Sequence, residues 1–378
     1  MNPSTPSPAA QPSRAASERL HKPHATVRQI ASRLKISRTT VSDALRGTGR
    51  VNPETAERVR EMAGQLGYRR NPLATALMAE MRRQRGDAFH GVIAAIDFLE
   101  AQAGGNYKPF HTELMRGATE RATSLGFLVE RFVIGQEGLT VSRLNEILLS
   151  RNIHGVMVLP AWNAPDLSAL SWERYAGVYT DYIIKYPALH SLCSDHYRTM
   201  FTALSLLTER GYERPGLLIE KSRDDRLQRR HSASFHSHYQ TVGQSNPVPP
   251  LILEEVDKAS FMRWFKKYKP DAIIHHFTEV IEWMEECGAK VPETHGFLSL
   301  NTIWRRRPCA GFDLQPAVIG ARAVESVIAQ LLRNELGIPE FPTMATIPSR
   351  WVEGPTLRPS TKPATEEPLC GSPRLIRA

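Results

Sequence analysis

The stretch Ser37-Arg38-Thr39-Thr40-Val41-Ser42-Asp43-Ala44-Leu45-Arg46-Gly47 sets small hydroxyls and a guanidinium beside an aliphatic pair, Val41 and Leu45, four residues apart. Hydroxyl and guanidinium groups hydrogen-bond base edges and phosphate oxygens, and a helix lying in the DNA major groove presents them on its first, outward turn. Arg38, Thr39 and Ser42 fall there, while Val41, Ala44 and Leu45 make an inner stripe that would hold the helix to a partner. Taken alone, those eleven residues fit an ordinary capped surface helix better. Their neighbours decide what they can do.

Residues 26–68 read as three short, well-punctuated helices. Thr26 and Gln29 have capping-box spacing, and Ile30, Ala31 and Leu34 share one face. Lys35-Ile36 forms a turn, Ser37 caps the second helix, and Gly47-Thr48-Gly49 ends it. Asn52-Pro53 supplies N-cap and N1 residues of the preferred kinds for a third helix. Its inward residues are Val59, Met62, Ala63 and Leu66, and Gly67 terminates it.

Charge points the same way. Residues 1–90 carry 16 Lys and Arg against 7 Asp and Glu, whereas the remainder carries 32 of each, so the whole net charge of +9 sits in the first quarter. A polyanion-binding module joined to a neutral body has this asymmetry, because phosphate neutralisation supplies most non-specific affinity for DNA. A basic tail for RNA or a membrane surface would look alike by charge alone.

The other chemistries leave little trace. Cys193, Cys287, Cys309 and Cys370 stand far apart with no C-x-x-C spacing, so buried or idle thiols are expected rather than a zinc knuckle or a disulfide framework. His231, His236, His238, His275 and His276 could be drawn as a zinc cluster, but they lack a helical i, i+4 pair and clustered thiolates. No nucleophile elbow, Walker loop or G-x-G-x-x-G after a strand occurs, so neither an enzyme nor a cofactor is expected. No apolar run approaches about 18 residues, and the first thirty residues offer Pro, Ser and Ala in place of a signal core. The expectation is a cytoplasmic protein with no membrane partner.

From residue 91 onward, short apolar runs at 92–98, 127–134, 155–159, 177–179, 216–219, 272–274 and 296–300 alternate with helical stretches near 110–125, 140–151, 196–210, 230–241, 278–288 and 316–335. Alternating strand and helix argues for a parallel sheet covered on both faces, and seven or more strands suit two lobes. Residues 1–24 and 355–378 are expected to be disordered tails.

Thr26-Val27-Arg28-Gln29-Ile30-Ala31, Val51-Asn52-Pro53-Glu54-Thr55, Leu66-Gly67-Tyr68 and Asn71-Pro72 together resemble the headpiece of the lactose/galactose repressor (LacI/GalR) family without a gap. The resemblance implies a homodimer on a double-stranded, pseudo-palindromic operator. It assigns base reading to Arg38 and Thr39, phosphate positioning to Ser37, Thr40, Asn52 and Tyr68, and places Asn71 at the headpiece exit. Asp43 departs from the Arg or His often found there; it would repel phosphate and could accept from a cytosine amino group. Residues 72–79 resemble the family's hinge helix, with Leu77 as the minor-groove wedge, although a linker helix packing Leu73 and Leu77 on its own domain fits too. Arg82, Arg83 and Arg85 fit a solvated linker face.

Downstream, Ser194-Asp195, Gly211-Tyr212, Gly311-Phe312-Asp313-Leu314-Gln315-Pro316 and Ile347-Pro348-Ser349-Arg350-Trp351 resemble the family's effector domain. The implied fold is an all-α helix-turn-helix headpiece plus an α/β body of two Rossmann-like lobes of periplasmic-binding-protein type. The expected boundaries are 25–70 for the headpiece, 71–90 for hinge and linker, and 91–354 for the effector-binding and dimerisation body. A small-molecule effector, with a carbohydrate as one candidate, would sit at the strand ends. Candidate contacts are Asp181, Asp195, Arg230, His231, His276 and Thr278, although His231 and Thr278 stand where the family's usual sugar-binding residues would be. The competing readings are a two-lobed solute-binding or sugar-processing protein and an architectural DNA-binding protein without an effector.

Overall fold

The computed structural model describes residues 27–46, 51–66, 91–99, 108–184, 186–242 and 247–360, and the chain divides into two compact units at Glu80/Met81. In the first unit, α1 (Val27–Leu34), α2 (Arg38–Arg46) and α3 (Pro53–Gln65) close on a small core. Ile30, Ala31, Val41, Ala44, Ala56, Val59 and Ala63 are buried, with Leu34, Ile36, Leu45, Met62 and Leu66 packed around them. Four of the seven buried side chains are alanine methyls, which lets three short helices approach closely. Lys35 takes the left-handed conformation at φ 53°, and the Ile36 amide then reaches back to the Ala31 carbonyl at 3.1 Å. That is a helix C-cap made without glycine. Thr26 and Gly67, expected as cap and terminator, lie outside the described residues.

The second unit holds two sheets. In the first lobe β1 (Gly91–Phe98), β2 (Phe127–Ile134), β3 (Gly155–Val158), β4 (Ala176–Tyr179), β5 (His190–Ser194) and β11 (Met344–Ile347) form an all-parallel sheet of order β11-β5-β4-β3-β1-β2. Alternation along β1 decides which side chain faces which layer. Ile93 and Ala95 pack with α4 (Lys108–Ser124) and α11 (Pro316–Arg333), while Ala94 and Ile96 pack with α5 (Val141–Ser150). Helices α4 and α11 touch backbone to backbone. A Cβ on Gly320 would stand 2.0 Å from the Leu114 carbonyl oxygen, and one on Gly117 would stand 1.9 Å from that of Ala317.

In the second lobe β6 (Pro215–Glu220), β7 (Leu251–Leu253), β8 (Ala272–His275), β9 (Gly296–Ser299), β10 (Ala310–Asp313) and β12 (Arg350–Val352) are ordered β12-β10-β9-β8-β6-β7. All are parallel except β12, which pairs antiparallel with β10. Helices α6 (His196–Glu209) and α8 (Arg230–Val242) cover one face, and α9 (Lys258–Tyr268) and α10 (Val280–Glu286) the other; the short α7 (Lys221–Arg226) follows β6.

All seven expected strands are present, and β5, β7, β10, β11 and β12 join them. The antiparallel edge strand corrects the expectation of purely parallel sheets. It arises because the chain re-enters the second lobe from the first through only Pro348 and Ser349, too short a link to reach the sheet's other end. The chain passes between lobes three times, and the crossings are bonded to one another. The Asp195 amide donates to the Ile347 carbonyl at 2.9 Å, Gln315 Nε2 to the Pro348 carbonyl at 2.5 Å, and the Thr199 and Ser349 hydroxyls lie 2.7 Å apart.

Candidate DNA interface and ligand cleft

At the start of α2 the Thr40 amide donates to Ser37 Oγ at 2.9 Å, and the Ser37 and Thr40 hydroxyl oxygens lie 2.8 Å apart on an exposed helix end. A helix N-terminus with converging hydroxyls favours an anion, because unpaired amides and the helix dipole both point outward there. Asn52 Oδ1 accepts the Glu54 amide at 2.9 Å with Pro53 behind it, which fixes the α3 N-terminus and leaves the Asn52 amide nitrogen as a donor. Helix α2 carries Arg38, Thr39 and Ser42 on its backbone, and their side chains lie outside the described residues; so do Tyr68, Asn71 and Leu77 entirely.

In the second unit the C-terminal ends of the strands of both lobes converge, as they do at the switch points of doubly wound sheets. The first lobe contributes Pro160 and Trp162 after β3 and His196 after β5. The second contributes Arg223 and Arg226 from α7, His276 after β8, and Asn301 and Trp304 after β9. They enclose a cavity of about 60 Å³. Beside it lies an open recess of about 590 Å³ that shares Trp162 and Arg226 and is lined further by Tyr182, Ile184, Tyr186 and Pro165.

The lobes are tied across the cleft by the α7 arginines and their neighbours. A terminal nitrogen of Arg226 lies 3.2 Å from Asp181 Oδ2, and its Nε donates to the Ala161 carbonyl at 3.1 Å. Gln228 Nε2 donates to the Tyr182 carbonyl at 3.1 Å. The Arg223 guanidinium lies 5.2 Å from the Trp162 ring, 4.9 Å from Phe277 and 5.5 Å from Trp304, and it pairs with Glu220. A cation over several aromatic faces is held by their quadrupoles as well as by its carboxylate.

The six candidate effector contacts occupy different places. Asp181 is buried, and besides Arg226 it accepts the Ala161 amide at 3.0 Å and the Tyr182 amide at 2.7 Å. Asp195 caps α6, accepting the Arg198 amide at 3.0 Å. Arg230 lies over the Tyr182 ring at 4.3 Å. His231 is 1% exposed and stacks edge-on to His196 at 5.0 Å and beside His276 at 5.5 Å, with neither ring nitrogen partnered among the described residues. His276 lines the cavity, and Thr278 Oγ1 accepts the Arg306 amide at 3.2 Å. Burial keeps this group neutral: desolvation pulls His231 and His275 down to about 4 and His196 and His276 well below the usual histidine range, the charge of Arg223 adding to the effect at His276.

Trp162, Arg223, Arg226, Asn301 and Trp304 are absent from the sequence-based candidates. Trp162 and Asn301 follow runs already read as strands, so the strand-end rule applied to every strand would have found them. The arginines sit on a six-residue helix with no periodic signal. Cys193 and Cys309 are buried, and burial pushes the Cys309 thiol up to about 11. Among the described residues, no group of three or more His, Cys, Asp or Glu is arranged to hold a metal ion, and no helix is long and apolar enough to cross a membrane.

The described residues thus form a three-helix unit and a two-lobed, doubly wound body. Residues 26–71 match the family described as bacterial regulatory proteins, lacI family. It is 32% identical over 150 residues to the maltose regulon regulatory protein MalI of Escherichia coli (strain K12), covering 39% of this chain and 40% of that one. It is 22% identical over 196 residues to the transcriptional repressor CytR of the same strain, covering 51% and 53%. The chain thus spans about half or less of the length of these relatives. The body's fold recurs in the regulator CelR in complex with cellobiose, at TM-score 0.55 and 16% identity over 88% of this chain and all of that one. It recurs as well in the lac repressor dimer bound to operator and ONPF, at TM-score 0.52 and 16% identity over 88% and 99%.

Proposed function

We propose that the chain is a sequence-specific DNA-binding transcriptional repressor that acts in the cytoplasm as a homodimer on a pseudo-palindromic operator. The observation that carries this reading is the capped α1-α2-α3 unit, with its exposed Ser37-Thr40 helix end, inside the one strongly basic quarter of the chain. In this reading Arg38 and Thr39 read bases with Ser42 on the same DNA-facing turn, Ser37, Thr40, Asn52 and Tyr68 hold phosphates, Asn71 meets the DNA at the headpiece exit, and Leu77 enters the minor groove. Residues 25–70 form the reading module, 71–90 the hinge, and 91–354 the dimerising body; the segment expected as a tail from 355 begins later, because Leu357 is buried in the second lobe's core and Thr356 Oγ1 donates to the Phe297 carbonyl at 2.7 Å. The reading assigns no catalysis.

Control comes from a small molecule held between the lobes; the similar regulator CelR is found in complex with cellobiose, and the lac repressor dimer with the anti-inducer ONPF. A ligand that binds one lobe angle better than another shifts the population of angles, and with it the spacing of two headpieces. The test is selection of duplexes from a random pool by the full chain, followed by footprinting. Enrichment of an inverted repeat is expected, with affinity falling steeply as salt rises. A pool with no enriched repeat overturns the assignment.

A further inference from the structure

The polar lining of the inner cavity is lopsided. Arg223, Arg226, His196, His276 and Asn301 supply it, and among the described lining residues there is no carboxylate. Asn301 Oδ1 accepts the Ile303 amide at 3.2 Å, which fixes the side-chain amide and leaves Nδ2 buried without a partner among the described residues. His276 Nδ1 is likewise buried and unpartnered among them. A buried donor left unpaired costs free energy in the empty state and is recovered when a ligand acceptor arrives. The nearby carboxylates are engaged: Asp181 with Arg226 and two backbone amides, Glu220 with Arg223.

Sugar hydroxyls donate as well as accept and are best met by carboxylates, and the described lining offers only the neutral imidazoles of His196 and His276 as ring acceptors. An anion needs only donors. We propose that the ligand of this cleft is a planar aromatic monocarboxylate, its carboxylate held by Arg223, Arg226 and Asn301 and its ring against Trp162. The proposal rests on the reading of the cleft as the effector site and names its ligand class.

Three observations shape it. Two guanidinium charges already faced by Asp181 and Glu220 leave directional N–H donors with little surplus charge, which suits a monoanion better than a phosphate dianion. Trp162 borders both the inner cavity and the 590 Å³ recess, so a ring can lie on it with the carboxylate inside and the remainder outside. The recess does contain carboxylates, Asp166 and Asp225, but Asp166 accepts the Ser168 amide at 2.9 Å and Asp225 pairs with Arg229 at 3.0 Å. At about 60 Å³ the inner cavity must widen to admit the ligand, since small-molecule sites run to roughly 300–1,000 Å³.

The experiment is calorimetry and thermal shift on the full chain with benzoate, phenylacetate, benzamide, phenyl phosphate and cellobiose. Benzoate or phenylacetate should bind and raise the melting temperature by several degrees, with benzamide, phenyl phosphate and cellobiose at least tenfold weaker. Asn301→Asp keeps the cap acceptor but sets a carboxylate where the donor was; it should weaken benzoate binding tenfold or more. Trp162→Ala, in a loop, removes the ring face and should do the same, so the prediction survives if the first variant folds poorly. Cellobiose or phenyl phosphate binding as well as benzoate, no binding by either carboxylate, or full benzoate affinity in both variants would each overturn the proposal. Operator retention is measured on the same preparation: benzoate binding without it sinks the regulatory reading alone, and retention without benzoate binding sinks the ligand class alone.

Discussion

The headpiece and the cleft handle polar groups in opposite ways. In the headpiece the working groups are exposed and satisfied locally, Ser37 by the Thr40 amide and Asn52 by that of Glu54. In the cleft they are buried, and several ring and amide nitrogens of His231, His276 and Asn301 have no partner among the described residues. An exposed set costs little to maintain and is ready for a polyanion approaching from solvent. A buried, half-paired set is a standing cost that favours either a ligand or a different lobe angle.

The largest effect that would break this contrast comes from acid. His231 and His275 titrate near 4 in the folded body against 6.5 when unfolded, so the unfolded chain binds more protons between those values. Stability held above pH 6.5 is therefore lost progressively as pH falls from 6.5 through 4. Calorimetry from pH 7.5 to 4.5 should show the body's melting temperature falling. The headpiece has no histidine between residues 27 and 66, so its transition lacks this slope. A flat body transition would show that the histidine cluster is hydrated.

Next is Gly320→Ala, which sets a methyl against the Leu114 carbonyl oxygen and should cost the body about 3 kcal/mol by forcing α4 and α11 apart. Chemical denaturation reads it, and an unchanged midpoint would mean that the helices separate freely.

The cleft was the less legible of the two regions. Headpiece signals are contiguous: caps, turn and inner stripe occur within forty residues, so propensity and periodicity find them. The cleft gathers Trp162, Arg226, His276 and Asn301 from three loops and a short helix spread over some 140 residues, where strand ends are the one local cue and Arg226 has none. The same reason hid the short strands. β11 is exposed along most of its length and β7 has three residues, so neither shows a buried run. Helix α9 was legible but unread: Asp257 caps it through the Ser260 amide at 2.8 Å, and Phe261, Trp264 and Phe265 have helical spacing. Asp195 shows the opposite hazard, since an acidic residue after a strand also makes a good N-cap, and its Oδ1 serves that purpose here.

Two smaller effects sharpen the headpiece side. Arg38→Ala should weaken operator binding by about 1–3 kcal/mol and relax base preference at one position of each half-site, read by titration against single-base variants of the selected operator. A uniform loss across all variants would instead make Arg38 a phosphate contact. Asn52→Ala should lower headpiece stability by about 1 kcal/mol through loss of the cap, measured by thermal melting. No change there would mean that Pro53 alone sets the start of α3.

The three crossings between lobes constrain how the chain is made as well as how it moves. The first sheet needs β11 and α11, and the second needs β12, all encoded after residue 315. On the ribosome the first lobe cannot complete its sheet until residue 347 has emerged, nor the second until residue 352, whereas the headpiece has all three helices by residue 65. A nascent chain arrested midway would thus carry a finished three-helix unit on a chain whose two lobes each still lack an edge strand.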